Sequence, residues 1–307
     1  MKKIIITGAS GFIGYHLTKY LSNNLKNIKV YAVDDLSSSE QKIFPQKVKF
    51  LKIDCSKKQI LEIFKKTKID AIFHIAGQAS GENSFYETKK DMKNNLETTL
   101  NLSKLCEITN CKKFYFASSM AIYGDLPKSP IGEDSQCDPK SYYSIHKKAS
   151  EEYLKILSKK RINVTILRLF NVYGPGQNLL NNNQGMLKIY LKQLLKSNKI
   201  FVKGKLSRYR DFIYIDDVIN AFFQAYKKNR NGYRVYNVGT GNKTTVKELI
   251  LLISAHLNKK PNIVKLNSTP GDQLGTYADI NKIKKELNWK PKFQLNYGLK
   301  KFIDYLN

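Results

Sequence analysis

Few cysteines, few arginines and no long apolar run mark this sequence of 307 residues. Cys55, Cys106, Cys111 and Cys137 form no CxxC pair and no metal-ligand spacing. That excludes a disulfide framework and a cysteine-based metal site, so no metal is expected. Reduced thiols in a cytoplasmic protein are the plain reading. No stretch approaches the roughly 20 apolar residues of a membrane span. Gly8 interrupts the opening run Ile4-Ile5-Ile6 at once, which is too short a run for a signal peptide.

Arginine appears only at 161, 168, 208, 210, 230 and 234, although the formal net charge is +28. The excess is lysine, scattered in pairs such as Lys65-Lys66, Lys112-Lys113 and Lys227-Lys228. A nucleic-acid surface would gather its charge into a patch or tail, rich in arginine and interleaved with aromatics. The dispersed lysines imply instead a solvated surface that helps steer anionic substrates. No nucleic-acid partner is expected. With 42% hydrophobic residues the chain has enough apolar material to bury a core.

What is present is an alternation of apolar runs and amphipathic stretches. Strands are predicted at Lys3–Thr7, Ile28–Val33, Val48–Ile53, Asp70–Ala76, Lys113–Ser118 and Asn163–Leu169. Helices are predicted over Phe12–Asn24, Gln59–Lys66, Met92–Thr109 and Tyr143–Lys160. Such alternation implies an α/β fold, a Rossmann-like doubly wound parallel sheet with helices on both faces. After Gly174-Pro-Gly the pattern turns irregular, with an Asn-rich loop at Asn181–Asn183. The expected division is a dinucleotide-binding domain over 1–173 with a returning segment at about 211–238. A smaller, discontinuous substrate lobe then takes 174–210 and 239–307.

The first motif is Thr7-Gly8-Ala9-Ser10-Gly11-Phe12-Ile13-Gly14, directly after the first strand. A pyrophosphate needs backbone N–H groups at a helix N-terminus and no side chains in its way. Gly8 suits the tight turn, Gly11 the close approach and Gly14 the packing of helix on strand. About 20 residues on, Asp34-Asp35 close the second strand, where a carboxylate holds a ribose 2′-OH. Such a carboxylate repels a 2′-phosphate, which favours NAD over NADP. Asp54, closing the third strand, is a candidate for the adenine and equally a turn residue.

The second constellation is Ser118-Ser119 at a strand end, followed by Tyr143-Ser-Ile-His-Lys147. Tyrosine and lysine four apart share one helical face. A phenol has an ordinary pKa near 10, and a neighbouring ammonium or a positive nicotinamide favours its phenolate. With Ser119 holding the same oxygen, the three residues suit oxidation of an alcohol as hydride leaves for NAD⁺. His74 and His146 read as packing residues, and no serine stands in a nucleophile-elbow setting.

These motifs resemble those of the extended short-chain dehydrogenase/reductases, in the nucleotide-sugar epimerase/dehydratase branch typified by UDP-glucose 4-epimerases. The resemblance runs through TGASGFIG at 7–14, HIAGQAS at 74–80, Asn95, SSMAIYG at 118–124 and YYSIHKKASE at 142–151. It continues in LRLFNVYGPGQ at 167–177, RDFIYIDDV at 210–218, YNVGTG at 236–241 and PGDQLGTYAD at 270–279. It implies that Ser119 binds the reacting hydroxyl, Tyr143 is the base and Lys147 holds the nicotinamide ribose and lowers the tyrosine's pKa. It implies cofactor contacts from Gly8, Gly11, Phe12, Ile13, Gly14, Asp34, Asp35, Asp54, Ala76 and Asn95. Substrate contacts are implied for Ser84, Asn171, Arg210 and Asp272, with Tyr123 at the pocket wall. Arg208 is a second phosphate ligand or a surface residue, and Arg210 either clasps a diphosphate or pairs with Asp211. A homodimer through the helices at Met92–Thr109 and Tyr143–Lys160 is also implied.

Dehydratases of the branch carry an acid and a carboxylate just after the serine; here Met120-Ala121 can do neither. Epimerisation of a nucleotide-diphosphate sugar, most simply at C4 through a 4-keto intermediate with NAD recycled, is the expected reaction. A 4-reductase or 4,6-dehydratase is the neighbouring alternative, and a non-catalytic NAD-binding regulator the alternative from another class. One departure bears on the substrate: Thr269 stands where the branch usually has an arginine before Pro-Gly-Asp. Either Arg208 compensates or the diphosphate is held differently, and the nucleotide base stays open.

Overall fold

The computed structural model describes residues 1–40, 42–126, 129–179 and 185–306; the Asn181–Asn183 loop lies outside the described residues. Six strands form in the first half: β1 (Lys2–Thr7), β2 (Ile28–Asp34), β3 (Val48–Lys52), β4 (Ala71–His74), β5 (Lys113–Ser119) and β6 (Asn163–Leu169). Four short ones follow, β7 (Asn171–Tyr173), β8 (Lys199–Lys203), β9 (Tyr209–Arg210) and β10 (Phe212–Tyr214). Then β11 (Tyr233–Val238) returns to pair with β6, completing a parallel seven-stranded sheet in the order β11-β6-β5-β4-β1-β2-β3. The last strands are β12 (Thr244–Thr245), β13 (Asn262–Leu266) and β14 (Gly275–Thr276). Three small sheets result: β10-β7, β12-β9-β14 and β13-β8.

Helices α1 (Phe12–Asn24), α2 (Gln59–Phe64), α3 (Gly81–Tyr86), α4 (Thr88–Met92), α5 (Thr98–Ile108) and α6 (Tyr142–Ser158) belong to the first half. The second half adds α7 (Met186–Lys196), α8 (Ile215–Lys228), α9 (Val246–Leu257), α10 (Asn281–Leu287) and α11 (Leu295–Leu306). The two-residue period of β1 explains the layering. Ile4 and Ile6 face one core with Leu17 and Leu21 of α1 and Val218 and Phe222 of α8. Ile5 faces the other with Phe64 of α2, Leu105 of α5 and Leu154 of α6. Strand order reverses between β1 and β4, so the connections that follow them run to opposite faces and leave a crevice above the sheet.

The single helix predicted over Met92–Thr109 is interrupted by a π turn at Lys93–Glu97. Asn95 lies in that turn, and its Nδ2 donates to the carbonyl of Gln78 at 3.1 Å and to Asp91 Oδ1 at 3.1 Å. This tie to a distant loop holds the turn in its wider form, and no periodicity records it.

Beneath the crevice lies a buried ionic cluster. Glu151 of α6 accepts from Arg168 Nε at 3.1 Å and Nη2 at 2.7 Å, and from Ser118 Oγ of β5 at 2.6 Å. Arg168 of β6 donates onward to Tyr123 Oη at 2.9 Å, and that hydroxyl donates to Asn237 Oδ1 of β11 at 2.7 Å. Three strands and one helix are thereby locked in register. Removing one member strands a charge in a dry interior, which costs about 3–5 kcal/mol, whereas removing both does not. Arg168→Met is therefore expected to lower the denaturant midpoint sharply, with Arg168→Met/Glu151→Leu more stable than that single variant.

Candidate active site

The turn after β1 is built on two steric constraints. Gly8 sits at φ +66°, and a Cβ there would lie 2.7 Å from the Ala76 nitrogen, so the turn presses against the segment after β4. A Cβ on Gly14 would lie 1.9 Å from the Gly8 carbonyl oxygen, which lets α1 start directly over the turn. Around Gly11 only that same carbonyl lies within 4 Å of an added Cβ, leaving the approach to the helix start open. Asp34 braces the turn: its Oδ2 accepts from the Ser10 N–H at 2.9 Å and its Oδ1 from the Leu36 N–H at 2.8 Å. Burial nonetheless pushes its pKa up. Asp35 caps Ser37 locally at 3.0 Å, and Asp54 accepts from Ser56 and from Lys93 Nζ at 2.9 Å.

Above the sheet a cavity of about 350 Å³ opens over the strand ends. Phe12, Ile13, Gly77, Ser119, Tyr143, Lys147, Asn171, Arg210 and Asp272 all contribute to its wall. Ala76 lies beside it, its N–H donating to Thr7 Oγ1 at 3.3 Å. Tyr143 and Lys147 come from the start of α6, which Ser141 caps reciprocally with Ser144. That cap fixes the first turn, and the i, i+4 spacing puts both side chains on the face toward β5.

Lys147 Nζ donates to the carbonyl of Ala117 at 3.0 Å and lies 4.7 Å from the Phe116 ring centroid. Burial holds its pKa down at about 8. Its Nζ is 5.9 Å from the Tyr143 ring centroid. The expected lowering of the tyrosine does not occur here: burial pushes the phenol up to about 12, with a bond from Ser119 working the other way. The ammonium is turned to a backbone carbonyl and is too far away to offset the loss of water. Asn95 Oδ1 is buried without a hydrogen-bond partner among the described residues, and lies 2.5 Å from where a Gly77 Cβ would stand. Ser10 Oγ in the glycine turn is a second such atom. Two unsatisfied buried oxygens beside an open backbone cradle fit a dinucleotide with a pyrophosphate and ribose hydroxyls.

Several residues singled out from sequence stand elsewhere. Ser84 is fully buried and spends its hydroxyl on the Gly81 carbonyl at 2.6 Å; Gly81 and Glu82 line the cavity instead. Tyr123 is buried in the ionic cluster under the site, not at the pocket wall. Arg208 is not a phosphate ligand here: its Nη1 bonds both oxygens of Asp272 at 2.6 Å, and its other nitrogens bond the carbonyls of Lys203 and Lys205. Arg210 does reach the cavity, with Asp272 Oδ1 at 3.5 Å from its Nη2. It does not pair with Asp211, which is occupied by Thr240, Gly241 and Ala278. Asn171 Nδ2 reaches the Asp211 carbonyl at 3.4 Å. His74 is held between Thr7 and Thr99 at 3.0 Å each, and burial keeps it neutral. His146 pairs with Asp91 at 2.6 Å. Among the described residues no group of acids, cysteines and histidines could hold a metal, and no helix is long and apolar enough to cross a membrane.

A family profile described as "NAD dependent epimerase/dehydratase family" matches residues 4–239. The chain belongs to that family. It is thus an NAD-dependent enzyme of the epimerase/dehydratase kind. A UDP-glucose 4-epimerase of Thermotoga maritima, solved with UDP-glucose, superimposes with a TM-score of 0.93 at 32% identity, covering 99% of this chain and 98% of that one. The UDP-glucose 4-epimerase of Thermus thermophilus, solved with NAD, gives 0.90 at 28% identity over 99% and 98%. A UDP-glucuronate 4-epimerase of Thermodesulfobacterium geofontis is 29% identical over 98% of this chain and 95% of its own.

The depressed pKa of Lys147 carries a stability cost. Below about pH 8 its ammonium is buried in the folded chain, whereas the unfolded chain keeps it hydrated up to its ordinary pKa of 10.5. In that range the cost is roughly 3 kcal/mol at most, and it shrinks as pH rises from about 8 to 10.5. Nucleotide-free Lys147→Met is expected to melt higher than wild type at pH 7, with the gain fading by pH 10.

Proposed function

We propose that this chain is a nucleotide-sugar 4-epimerase acting on a UDP-hexose. The observation that carries this reading is the company kept by Tyr143. Ser119 and Lys147 share one cavity wall with it, while Met120 and Ala121, the residues next to Ser119, offer no acid or base. The uracil base and the hexose follow the relatives' substrates.

In the reaction, Tyr143 takes the proton from the sugar's 4-hydroxyl and Ser119 holds the same oxygen by a hydrogen bond. When bound, NAD⁺ would supply the redox half, as acceptor of the sugar's C4 hydrogen as hydride and then as its donor to the opposite face of that carbon. Tyr143 then gives its proton back to the new alkoxide, so no outside reductant enters the balance. Lys147 keeps a positive charge near the phenol and donates to a ribose hydroxyl. Its attraction for the phenolate, with that of the oxidised nicotinamide, works against the burial that raises the free phenol. Arg210 and Asn171 bind the diphosphate and sugar, and Asp272 accepts from a ribose hydroxyl. Asp34 takes the adenosine ribose. The 1–173 segment with the returning stretch at about 211–238 acts as the cofactor lobe, and 174–210 with 239–307 as the substrate lobe. Exposed Ile145, Tyr153 and Ile156 on α6, with Met92 on α4, support assembly as a homodimer through these helices.

The test is incubation with UDP-, GDP-, CDP- and dTDP-hexoses without added NADH. Two equilibrating 4-epimers, with the UDP sugar fastest, is the expected outcome. A 4-keto-6-deoxy product formed with loss of water contradicts the reading. Tyr143→Phe is expected to lower turnover by at least about 100-fold while NAD still co-purifies; near-normal turnover contradicts the mechanism.

A further inference from the structure

The cavity needs more positive charge than the arginines give it. A nucleoside-diphosphate sugar brings two negative charges. Arg208 is spent on Asp272 and two carbonyls, and Arg210 shares that same carboxylate. Thr269, where an arginine was expected, lies in the cavity wall and is neutral. Lys147 sits deep against β5, bonded to the Ala117 carbonyl.

One further cation lines the same wall. Helix α7 opens with Gly185, Met186, Leu187 and Lys188, and all four border the cavity. Lys188 is only 3% exposed, and its Nζ donates to the carbonyl of Asn178 at 2.9 Å. A Cβ on Gly185 would lie 3.7 Å from both Lys188 Cβ and Cε and 3.2 Å from Gln177 Nε2. The lysine therefore runs alongside a glycine that adds no bulk in front of it. Two residues on, buried Tyr190 lies near the charges of Arg208, Arg210 and Asp272, which sets α7 beside the arginine cluster. A lysine on the outer surface would be the ordinary outcome at an amphipathic helix start. Here burial holds its ammonium down at about 8, a cost that an anion in the cavity relieves.

We propose that Lys188 is a substrate-binding residue that, together with Arg210, neutralises the diphosphate of the nucleotide sugar in place of a cation at position 269. The assignment rests on the reading of the cavity as a nucleotide-sugar site. It concerns the substrate's diphosphate, not the cofactor's, because Lys188, Arg210 and Asp272 all come from the second half of the chain, whereas the glycine turn belongs to the first.

Calorimetric titration with UDP and, separately, with NAD tests it in wild type, Lys188→Met and Lys188→Met/Thr269→Arg. A charge-assisted bond is worth about 1.5–3 kcal/mol, so Lys188→Met should weaken UDP about 10- to 100-fold. NAD affinity should stay within about threefold, and Thr269→Arg should restore most of the loss by returning a cation to the cavity lining. A structural role would not be rescued by a cation supplied from another segment of the cavity lining. Unchanged UDP affinity in Lys188→Met overturns the assignment, as does a loss confined to NAD. So does a loss that Thr269→Arg leaves uncorrected. If wild type binds none of UDP, GDP, CDP and dTDP, the nucleotide-sugar reading itself fails, and the lysine's role with it.

Discussion

Charge turned inward on one helix face constrains this structure. Helix α6 presents Tyr143, Lys147 and Glu151 to the sheet, where a surface helix would ordinarily present only apolar groups. Each buried charge needs a fixed partner. Glu151 finds Arg168 and Ser118, and Lys147 finds the Ala117 carbonyl. Those partners sit on β5 and β6 at set positions, so α6 can neither slide nor rotate without stranding an ion. The reactive phenol is held over Ser119 as a consequence of that register. Leu154 and Leu157, further along the same face, supply the apolar burial that offsets the cost of the arrangement.

The substrate side of the cavity follows the same logic with different parts. Asp272 is gripped by Arg208 and approached by Arg210, which ties the loop carrying Thr269 and Pro270 to β9. Its hold on both carboxylate oxygens makes Arg208 a support for the pocket wall. Cation supply to an anionic ligand then falls to side chains that line the cavity itself. The scattered surface lysines contribute a long-range field and no fixed contact.

Much of the fold was legible because it rests on local patterns. The bounds of α1 and β6 follow from where periodicity starts and stops, and the parallel sheet from the alternation of elements. The interruption at Lys93–Glu97 was not legible, because Asn95 is held by a loop far away in sequence. The two-residue strands β9, β12 and β14 are too short to show a period. Side-chain assignments failed where a long-range partner decided them. Arg208 meets Asp272 across 64 positions, and Tyr123 meets Asn237 across 114. Ser84 was lost to a bond within its own helix turn. The burial that raises the Tyr143 phenol was not legible, because spacing records the lysine's nearness and says nothing of desolvation.

The central claim is that this cavity oxidises a sugar carbon and returns the same hydrogen to it. UDP-glucose carrying deuterium at C4, incubated with the enzyme and no added NADH, tests that directly by NMR and mass spectrometry. The account predicts a mixture of the two 4-epimers with deuterium retained at C4 in both. Deuterium lost to water, or product lighter by one water molecule, contradicts it.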